Sequence, residues 1–186
     1  PFLFDINEGG RRSIGRRVVI IGGGFTAIDC ARTARRLGAR EVGVYYRRSA
    51  REMYIMAEEL DEMAEERIPL ITHVNPVGII ARGGRVADVR FVRTTLEGSG
   101  DKNAQKVVPI PGSEFDVPAD NVILATGQAA DRSWMDESLR DARVPKLFAA
   151  GDFVNGPTTL IEAIGHARRQ ARAIDAFLSP QLRHHH

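Results

Sequence analysis

Short apolar runs alternate with segments of helical period along the first part of the chain. Arg17–Ile21 is continuous, β-branched and followed by glycine, which is typical of a buried parallel strand. Thr26–Leu37 has apolar residues at helical spacing and stops at Gly38, so it predicts a helix, and Glu41–Tyr46 predicts a second strand. This strand–helix–strand order predicts a parallel sheet with a right-handed crossover.

A second helix is predicted to begin at Ser49, because Ser49 and Glu52 have the spacing of a capping box. An apolar stripe on this helix is interpreted as packing against the sheet rather than as a methionine-rich ligand surface. Its members are Met53, Met56, Leu60 and Met63. Leu70–Val74 predicts the third strand.

The pattern changes between Val77 and Ile110, where a β-meander insertion is predicted. Gly83-Gly84 indicates a turn, and Arg85–Thr95 alternates like an antiparallel strand. After the polar loop "LEGSGDKNAQK", the run "VVPI" predicts a returning strand. Asn121–Ala125 then predicts another buried strand, which ends in "ATGQ".

The last third of the chain is less regular. Ala129–Val144 is polar and poorly patterned, and "KLFAAGD" predicts a final apolar strand. A helix is predicted over Thr159–Leu178, where Thr159 and Glu162 have the spacing of a second capping box. The whole pattern predicts an α/β fold, with a parallel sheet and the β-meander insertion.

Composition excludes several classes of function. The chain has 186 residues, is 43% hydrophobic and 27% charged, and carries a net charge of only +2 without a basic block interleaved with aromatics. Nucleic-acid binding is therefore not expected. No apolar run approaches the roughly 20 residues that span a bilayer. We see no signal peptide and expect a cytoplasmic protein.

No metal or disulfide site is predicted. Cys30 is the one cysteine of the sequence, which excludes an intrachain disulfide, a cysteine-held cluster and a redox Cys-x-x-Cys pair. His73 and His166 have no partners at metal-ligand spacing, so we expect both to be structural or solvated. The terminal His184–His186 resembles an expression tag.

A glycine loop joins the first strand to the first helix. It reads Gly22, Gly23, Gly24, Phe25, Thr26 and Ala27, a G-x-G-x-x-A pattern. Gly22 permits the tight turn, Gly24 leaves room for a pyrophosphate, and Ala27 keeps the helix close to the strand. The N–H groups of Phe25 and Thr26 then point at phosphate oxygens at the helix N-terminus. The alternative is a tight turn without a ligand.

The end of the second strand indicates which dinucleotide the loop binds. Enzymes that bind NAD place an acidic residue there, which holds the ribose hydroxyls. This chain has Arg47-Arg48 instead. Two planar, permanently charged guanidinium groups suit a 2′-phosphate, so the sequence predicts NADPH. The alternative is a solvated helix entry.

These segments resemble a known family. "GGGFTAIDCARTARRLGAREVGVYYRRSAREM" is similar to the NADPH-binding segment of the glutamate synthase small-subunit family and of related iron–sulfur-linked flavin oxidoreductases such as dihydropyrimidine dehydrogenase. The resemblance implies the Rossmann-like NAD(P)-binding domain of flavoproteins with two dinucleotide-binding domains. The family usually has Asn where this chain has Phe25, which removes a polar side chain near the nicotinamide ribose.

The resemblance continues to the end of the chain. "VILATGQ" resembles the strand and turn that close the NADPH domain, which implies cofactor contacts by Ala125, Thr126 and Gly127. "LFAAGDFVNGPTTLIEAIGHARRQARAI" resembles the C-terminal flavin segment. It implies that Gly151-Asp152 holds the ribityl chain of FAD and that Thr158 and Thr159 face the flavin ring. The alternative for Gly151-Asp152 is an ordinary turn.

The resemblance also implies a domain organisation. Residues 1–16 are expected to be a linker from an upstream FAD domain, 17–128 the NADPH-binding domain, 129–180 the C-terminal segment of a split FAD domain, and 181–186 a tail with a tag remnant. The sequence has neither a second glycine loop nor a cysteine-rich iron–sulfur segment. We therefore expect a piece of a larger enzyme, whose partners are the rest of the FAD domain and an iron–sulfur domain or large catalytic subunit.

The expected reaction passes a hydride from NADPH to FAD and electrons onward to iron–sulfur clusters or a partner. No side chain needs to act as a general base, so no catalytic residue is predicted. A fragment of a thioredoxin-reductase-like enzyme is one alternative, which the missing Cys-x-x-Cys pair disfavours. A non-catalytic NADPH-binding regulatory module is the other, which the flavin-type segment disfavours.

Overall fold

A computed structural model describes residues 2–10, 13–53, 55–98, 105–136 and 146–182. The chain forms two compact units, residues 1–126 and 127–186. Most of the polar loop after Glu97, part of the poorly patterned segment and the tag lie outside the described residues. None of the described helices has the length and apolar character needed to cross a bilayer.

Among its described residues, the first unit contains three α-helices and eight strands. In chain order they are α1 (Phe2–Asn7), β1 (Arg17–Ile21), α2 (Phe25–Arg36), β2 (Glu41–Tyr45), α3 (Ala57–Glu65), β3 (Leu70–Ile71), β4 (Val74–Arg82), β5 (Arg85–Glu97), β6 (Lys106–Pro109), β7 (Phe115–Pro118) and β8 (Asn121–Leu124). Four of the strands form a parallel sheet in the order β3-β2-β1-β8. The predicted β1, α2, β2 and β8 are confirmed to within one residue at each end.

Strand β1 is buried on both faces, which explains its continuous apolar sequence. Val18 and Ile20 belong to a core cluster shared with α2 and α3. Val19 and Ile21 belong to a second cluster, with residues of β5 such as Phe91. The β-strand period of two therefore sends alternate side chains of one strand into two cores.

The predicted helix from Ser49 is wrong in its first part. A 3-10 turn over Ala50–Glu52 is followed by extended backbone at Met53, and α3 begins only at Ala57. Met53 and Ile55 both pack against the same core. Two residues spaced i and i+2 share one face in extended chain but not in a helix, so this packing interrupts the helix. Met56, expected in the apolar stripe, is 63% exposed.

The insertion is a second, antiparallel sheet. A hairpin joins β4 to β5 through Gly83 and Gly84, which both have positive φ, at 59° and 74°. Strand β6 confirms the predicted return, whereas β7 was not predicted and pairs with β5 rather than β6. The predicted third strand is shorter than expected because His73, with φ 55°, turns the chain into β4.

The second unit contains α4 (Asp152–Asn155) and α5 (Leu160–Leu182) among its described residues. The predicted strand "KLFAAGD" is wrong: its described backbone is irregular, and Asp152 already belongs to α4. A strand needs a neighbour for its backbone hydrogen bonds. Residues 127–136 and 146–182 contain no other strand that could supply one. The predicted last helix is confirmed, although it ends later.

Candidate functional site

The glycine loop lies where β1, β2 and β8 end. The Gly22 N–H donates to the carbonyl of Tyr45 at 3.1 Å, and the Ala125 N–H donates to the carbonyl of Ile21 at 2.8 Å. A Cβ atom on Gly22 would stand 2.2 Å from the Ala125 carbonyl oxygen. The loop is thus fixed at the carboxyl ends of the strands, beside the point where strand order reverses, and ligands of open α/β sheets bind at that point.

The middle glycine of the loop packs against an aromatic ring. A Cβ atom on Gly23 would stand 2.3 Å from the ring of Tyr46. The Tyr46 hydroxyl donates to the Glu52 carbonyl at 3.3 Å, which holds the ring in place. This contact could not be predicted from the sequence, since the G-x-G-x-x-A pattern leaves its second position open. The contact places the glycine loop next to Tyr46, the residue that precedes Arg47.

Gly24 has open space above it. Apart from Gly24 itself and its two chain neighbours, no heavy atom lies within 4 Å of the position that its Cβ would occupy. It is also the N-cap of α2, with no side-chain cap hydrogen bond. The first bond back to Gly24 comes from the Ala27 N–H at 2.9 Å, so the N–H groups of Phe25 and Thr26 precede the helical ladder. This end of α2 can receive an anion against its backbone.

The two arginines after β2 differ in their surroundings. Arg47 is exposed, and its guanidinium has no hydrogen bond or ion pair with any described residue. Arg48 is half-buried, and its guanidinium lies 3.4 Å from the Glu52 carboxylate and 3.0 Å from the Gln105 carbonyl oxygen. The two arginines, predicted to act together, thus differ: Arg47 is exposed to solvent, and Arg48 is bonded to the protein.

Glu52 joins the capping box to Arg48. Its Oε2 accepts hydrogen bonds from the Ser49 N–H and the Ser49 hydroxyl, both at 2.9 Å. The bond from the Ser49 N–H is the main cause that lowers the pKa of Glu52 below its ordinary value. The carboxylate therefore stays charged and offsets part of the positive charge of Arg48.

The single cysteine is unsuited to thiol chemistry. Cys30 lies buried in α2, and burial raises the pKa of its thiol to about 11. A thiol needs to ionise before it can attack a disulfide. Among the described residues no cluster of three or more His, Cys, Asp or Glu could hold a metal ion.

The candidate flavin residues lie in the second unit and make hydrogen bonds to other residues of that unit. The Gly151 N–H donates to Nδ1 of His166 at 3.0 Å, a structural use of this histidine. The Thr158 hydroxyl donates to Asp152 Oδ1 at 2.8 Å. The predicted capping box forms, since the Thr159 N–H and hydroxyl both reach the Glu162 carboxylate, at 3.0 and 2.8 Å.

The turn after β8 is divided between the units. Ala125 packs against the glycine loop, and Thr126 ends the first unit. Gly127 begins the second unit and has a φ of 94°, a conformation that favours glycine. The structure therefore places Ala125 beside the loop.

Comparison with known proteins identifies relatives of the chain. The sequence profile of the family described as pyridine nucleotide-disulphide oxidoreductase matches residues 5–171. The chain is 38% identical to the β subunit of NADP(+)-dependent formate dehydrogenase from Moorella thermoacetica, covering 95% of this chain and 27% of that protein. It is 34% identical to the glutamate synthase [NADPH] small chain of Escherichia coli, covering 88% and 39%. The resemblance to the glutamate synthase small-subunit family is confirmed.

The chain spans only about a quarter to two-fifths of the length of these relatives, from 27% to 39%. Solved structures share its fold. FprA of Mycobacterium tuberculosis in complex with NADPH superposes with a TM-score of 0.71 at 17% identity, over 89% of this chain and 53% of that one. Thioredoxin reductase of T. acidophilum gives 0.56 at 21% identity, over 79% and 47%. The predicted α/β fold is confirmed.

Proposed function

Because the chain belongs to the pyridine nucleotide-disulphide oxidoreductase family, we propose that it is the NADPH-binding part of a flavin oxidoreductase. The proposed reaction would move a hydride from NADPH to FAD and electrons onward to iron–sulfur clusters or a partner subunit. FAD supplies the electron chemistry when bound, and the residues of this chain bind and orient the cofactors. Its relatives include an NADPH-Fe(3+) oxidoreductase β subunit of Geobacter sulfurreducens, 33% identical.

The observation that carries the proposal is the open backbone at Gly24 beside an exposed guanidinium at Arg47. A pyrophosphate at Gly24 would receive the N–H groups of Phe25 and Thr26 and the positive end of the α2 dipole. The Gly23–Tyr46 contact fixes the distance from this loop to the end of β2. The adenosine 2′-phosphate of NADPH would meet the positive charge of Arg47-Arg48, whereas NADH carries no phosphate there.

Further residues complete the proposed cofactor contacts. Ala125 and its neighbours Thr126 and Gly127 would border the nucleotide. In the second unit, Gly151-Asp152 would face the ribityl chain of FAD. The start of α5 near Thr158-Thr159 would favour negative charge on the reduced flavin.

We propose the domain boundaries 17–128 for NADPH and 129–180 for the flavin segment, in a cytoplasmic enzyme with a larger partner subunit or domain. The names of the relatives support a multi-subunit parent, since two of them are β subunits and one is a small chain. A thioredoxin-reductase-like fragment is less supported, because its chemistry needs a second cysteine beside a reactive thiol, and Cys30 is alone in the sequence and buried.

Calorimetric titration of the chain with NADPH and NADH tests the proposal. Arg47→Ala is expected to weaken NADPH binding about ten- to a hundredfold and to leave NADH binding nearly unchanged, because a charged hydrogen bond contributes about 1.5–3 kcal/mol. Arg40→Ala is the matched control, since Arg40 is also exposed but lies at the opposite end of β2. Equal losses of NADPH and NADH affinity in Arg47→Ala would contradict the proposed phosphate contact.

A further inference from the structure

We propose that the antiparallel insertion formed by β4–β7 sets the nucleotide selectivity of the chain. Thr94 and Arg48 act as positioning residues, and Arg47 supplies the guanidinium that meets the 2′-phosphate. The inference rests on the proposed function, and it gives the insertion a role in recognition.

The insertion forms hydrogen bonds to the backbone of the segment that carries the two arginines. Three successive carbonyl oxygens after β2, those of residues 46–48, each accept a hydrogen bond from the insertion or the turn that leads into it. The Val74 N–H donates to the Tyr46 carbonyl at 3.1 Å, and the His73 N–H donates to the Arg48 carbonyl at 3.2 Å. The Thr94 hydroxyl donates to the carbonyl between them, that of Arg47, at 2.9 Å. The carbonyls of all three residues in the turn after β2 are therefore fixed by hydrogen bonds from the insertion side.

Thr94 is buried, although its side chain is polar. It is only 5% exposed, while the other buried residues of the described part of the chain are apolar, and its own N–H donates to the His73 carbonyl at 2.8 Å. A buried hydroxyl destabilises a core unless it is hydrogen-bonded, and valine would fill the same volume without that cost. The partner that satisfies this hydroxyl is the Arg47 carbonyl, so the hydroxyl fixes the backbone of the residue that faces the ligand.

The Arg48 side chain provides a second link between the turn after β2 and the insertion. Its guanidinium spans from Glu52, which follows β2, to the carbonyl of Gln105, which precedes β6. With its side chain only 17% exposed and its charge faced by a carboxylate, Arg48 is poorly placed to give that charge to a ligand. Arg47 is exposed, and its guanidinium keeps its full charge for a phosphate.

A fixed backbone in the turn after β2 should contribute more to binding of the 2′-phosphate than to binding of the rest of the nucleotide. Bidentate contacts between a guanidinium and a phosphate depend on geometry, and any freedom left in the turn has to be lost on binding. Loosening the turn should therefore weaken binding of a 2′-phosphorylated nucleotide selectively. The pyrophosphate site at Gly24 belongs to a different segment and should be affected little.

Titration of the 186-residue chain with NADP+ and NAD+ tests this inference. Thr94→Val keeps the shape and removes the hydroxyl. We expect it to lower NADP+ affinity about three- to tenfold and NAD+ affinity less than about twofold, the size of one lost hydrogen bond. Thr94→Ser keeps a hydroxyl and should restore NADP+ affinity. Thr95→Val is the matched control, because Thr95 is the next residue of β5 but is exposed.

The arginines supply a second measurement, which also decides the case if Thr94→Val does not fold. Replacing each by methionine keeps most of the aliphatic stem and removes the charge. Arg47→Met should lower NADP+ affinity about ten- to a hundredfold, and Arg48→Met about threefold. An Arg48→Met loss as large as that of Arg47→Met would overturn the division of roles.

The outcomes separate this inference from the proposed function. A wild-type chain without preference for NADP+ over NAD+ would overturn both. A wild-type chain that prefers NADP+, with a folded Thr94→Val variant that keeps the same affinity ratio, would overturn only the role of the insertion. Equal losses of NADP+ and NAD+ affinity in Thr94→Val would also overturn only the role of the insertion, because they would indicate a general loosening of the fold.

Discussion

Gly22 lies so close to Ala125 that a Cβ atom on the glycine would stand 2.2 Å from the alanine carbonyl oxygen. Two positions along the same loop, Gly24 meets no heavy atom within 4 Å. The two glycines of one motif therefore meet different requirements. Gly22 lets β8 and its turn pack against the loop, and Gly24 keeps a surface free for a ligand.

Gly22→Ala is expected to destabilise the fold. The new Cβ would collide with backbone, which cannot rotate away, and the φ of 152° at Gly22 is rarely adopted by residues with a side chain. We expect a loss of more than about 2 kcal/mol in the free energy of unfolding, measured by urea denaturation. Gly24→Ala is the control, because its Cβ enters open space and its φ of −113° suits any residue. Equal midpoints for Gly22→Ala and wild type would contradict the packing argument.

Gly24→Val is expected to abolish NADPH binding while the chain still folds. The valine Cβ would enter open space, with no other residue beyond its chain neighbours within 4 Å, and the side chain would fill the space assigned to the pyrophosphate. Circular dichroism should show wild-type melting, and calorimetry should show no heat of NADPH binding. If the folded variant bound NADPH as tightly as wild type, the loop would be only a turn.

The glycine loop could be predicted from sequence because its signal is local: a strand, three glycines and a helix follow one another directly. The contacts that complete the site are not local. Thr94 reaches Arg47 from 47 residues away, and the patterns that predict the hairpin do not show that β5 lies against the end of β2. Gly23–Tyr46 depends on how β2 lies beside β1. Residue type identified the arginine pair, but only three-dimensional packing distinguishes its two members.

The failed predictions have the same physical origin. Ser49 and Glu52 form their capping box as predicted, yet the helix stops because Met53 and Ile55 both have a place in the core. The apolar run before Gly151 has strand-like composition but no neighbouring strand within the described part of its unit. Tertiary packing overrides local preference in the first case, and β-structure requires a partner in the second.

Asp120 should make the fold sensitive to acid. Its carboxylate accepts a 2.7 Å hydrogen bond from the Arg17 guanidinium, and the N–H groups of Arg17 and Arg16 donate to it at 2.9 and 2.8 Å. The Arg17 side chain is the largest cause that lowers the pKa of Asp120 from 3.8 to about 2. Because the folded-state pKa is the lower one, the stabilisation is complete above about pH 4 and is lost as the pH falls through 2.

We expect Asp120 to contribute about 1 kcal/mol to the free energy of unfolding, after discounting for a side chain that is 32% exposed. Urea unfolding of wild type and Asp120→Asn at pH 7 and pH 2.5 measures it. Other carboxylates with a lowered pKa, such as Glu66 and Asp116, titrate in both proteins. The gap in stability between the two proteins should therefore shrink in acid. A gap that stays constant would show that the Asp120 charge adds nothing.

The chain of 186 residues is expected to hold no tightly bound FAD and to oxidise NADPH at no enzymatic rate. Its sequence has one G-x-G-x-x-A loop, which the proposal assigns to NADPH, and no second loop for the pyrophosphate of FAD. In the flavin segment, Asp152 Oδ1 already accepts the Thr158 hydroxyl. Affinity is what remains after ordering costs, so a few contacts from one turn and one helix end do not retain a large cofactor.

The surface of the second unit agrees with this expectation. Leu160 and Ile161, at the start of α5, are 76% and 82% exposed. A hydride transfer needs the nicotinamide held within about 3–3.5 Å of the flavin, and exposed, unpacked side chains fix no such geometry.

We expect colourless protein whose NADPH is not consumed when free FAD and a dye acceptor are added, measured by absorbance. Calorimetric binding of NADPH by the same preparation is the control, since it shows that the first unit is folded and competent. A stoichiometric yellow preparation that NADPH bleaches rapidly would contradict the prediction. It would show that Gly151 to Thr159, with the rest of this chain, is sufficient to bind FAD and place it against the nicotinamide.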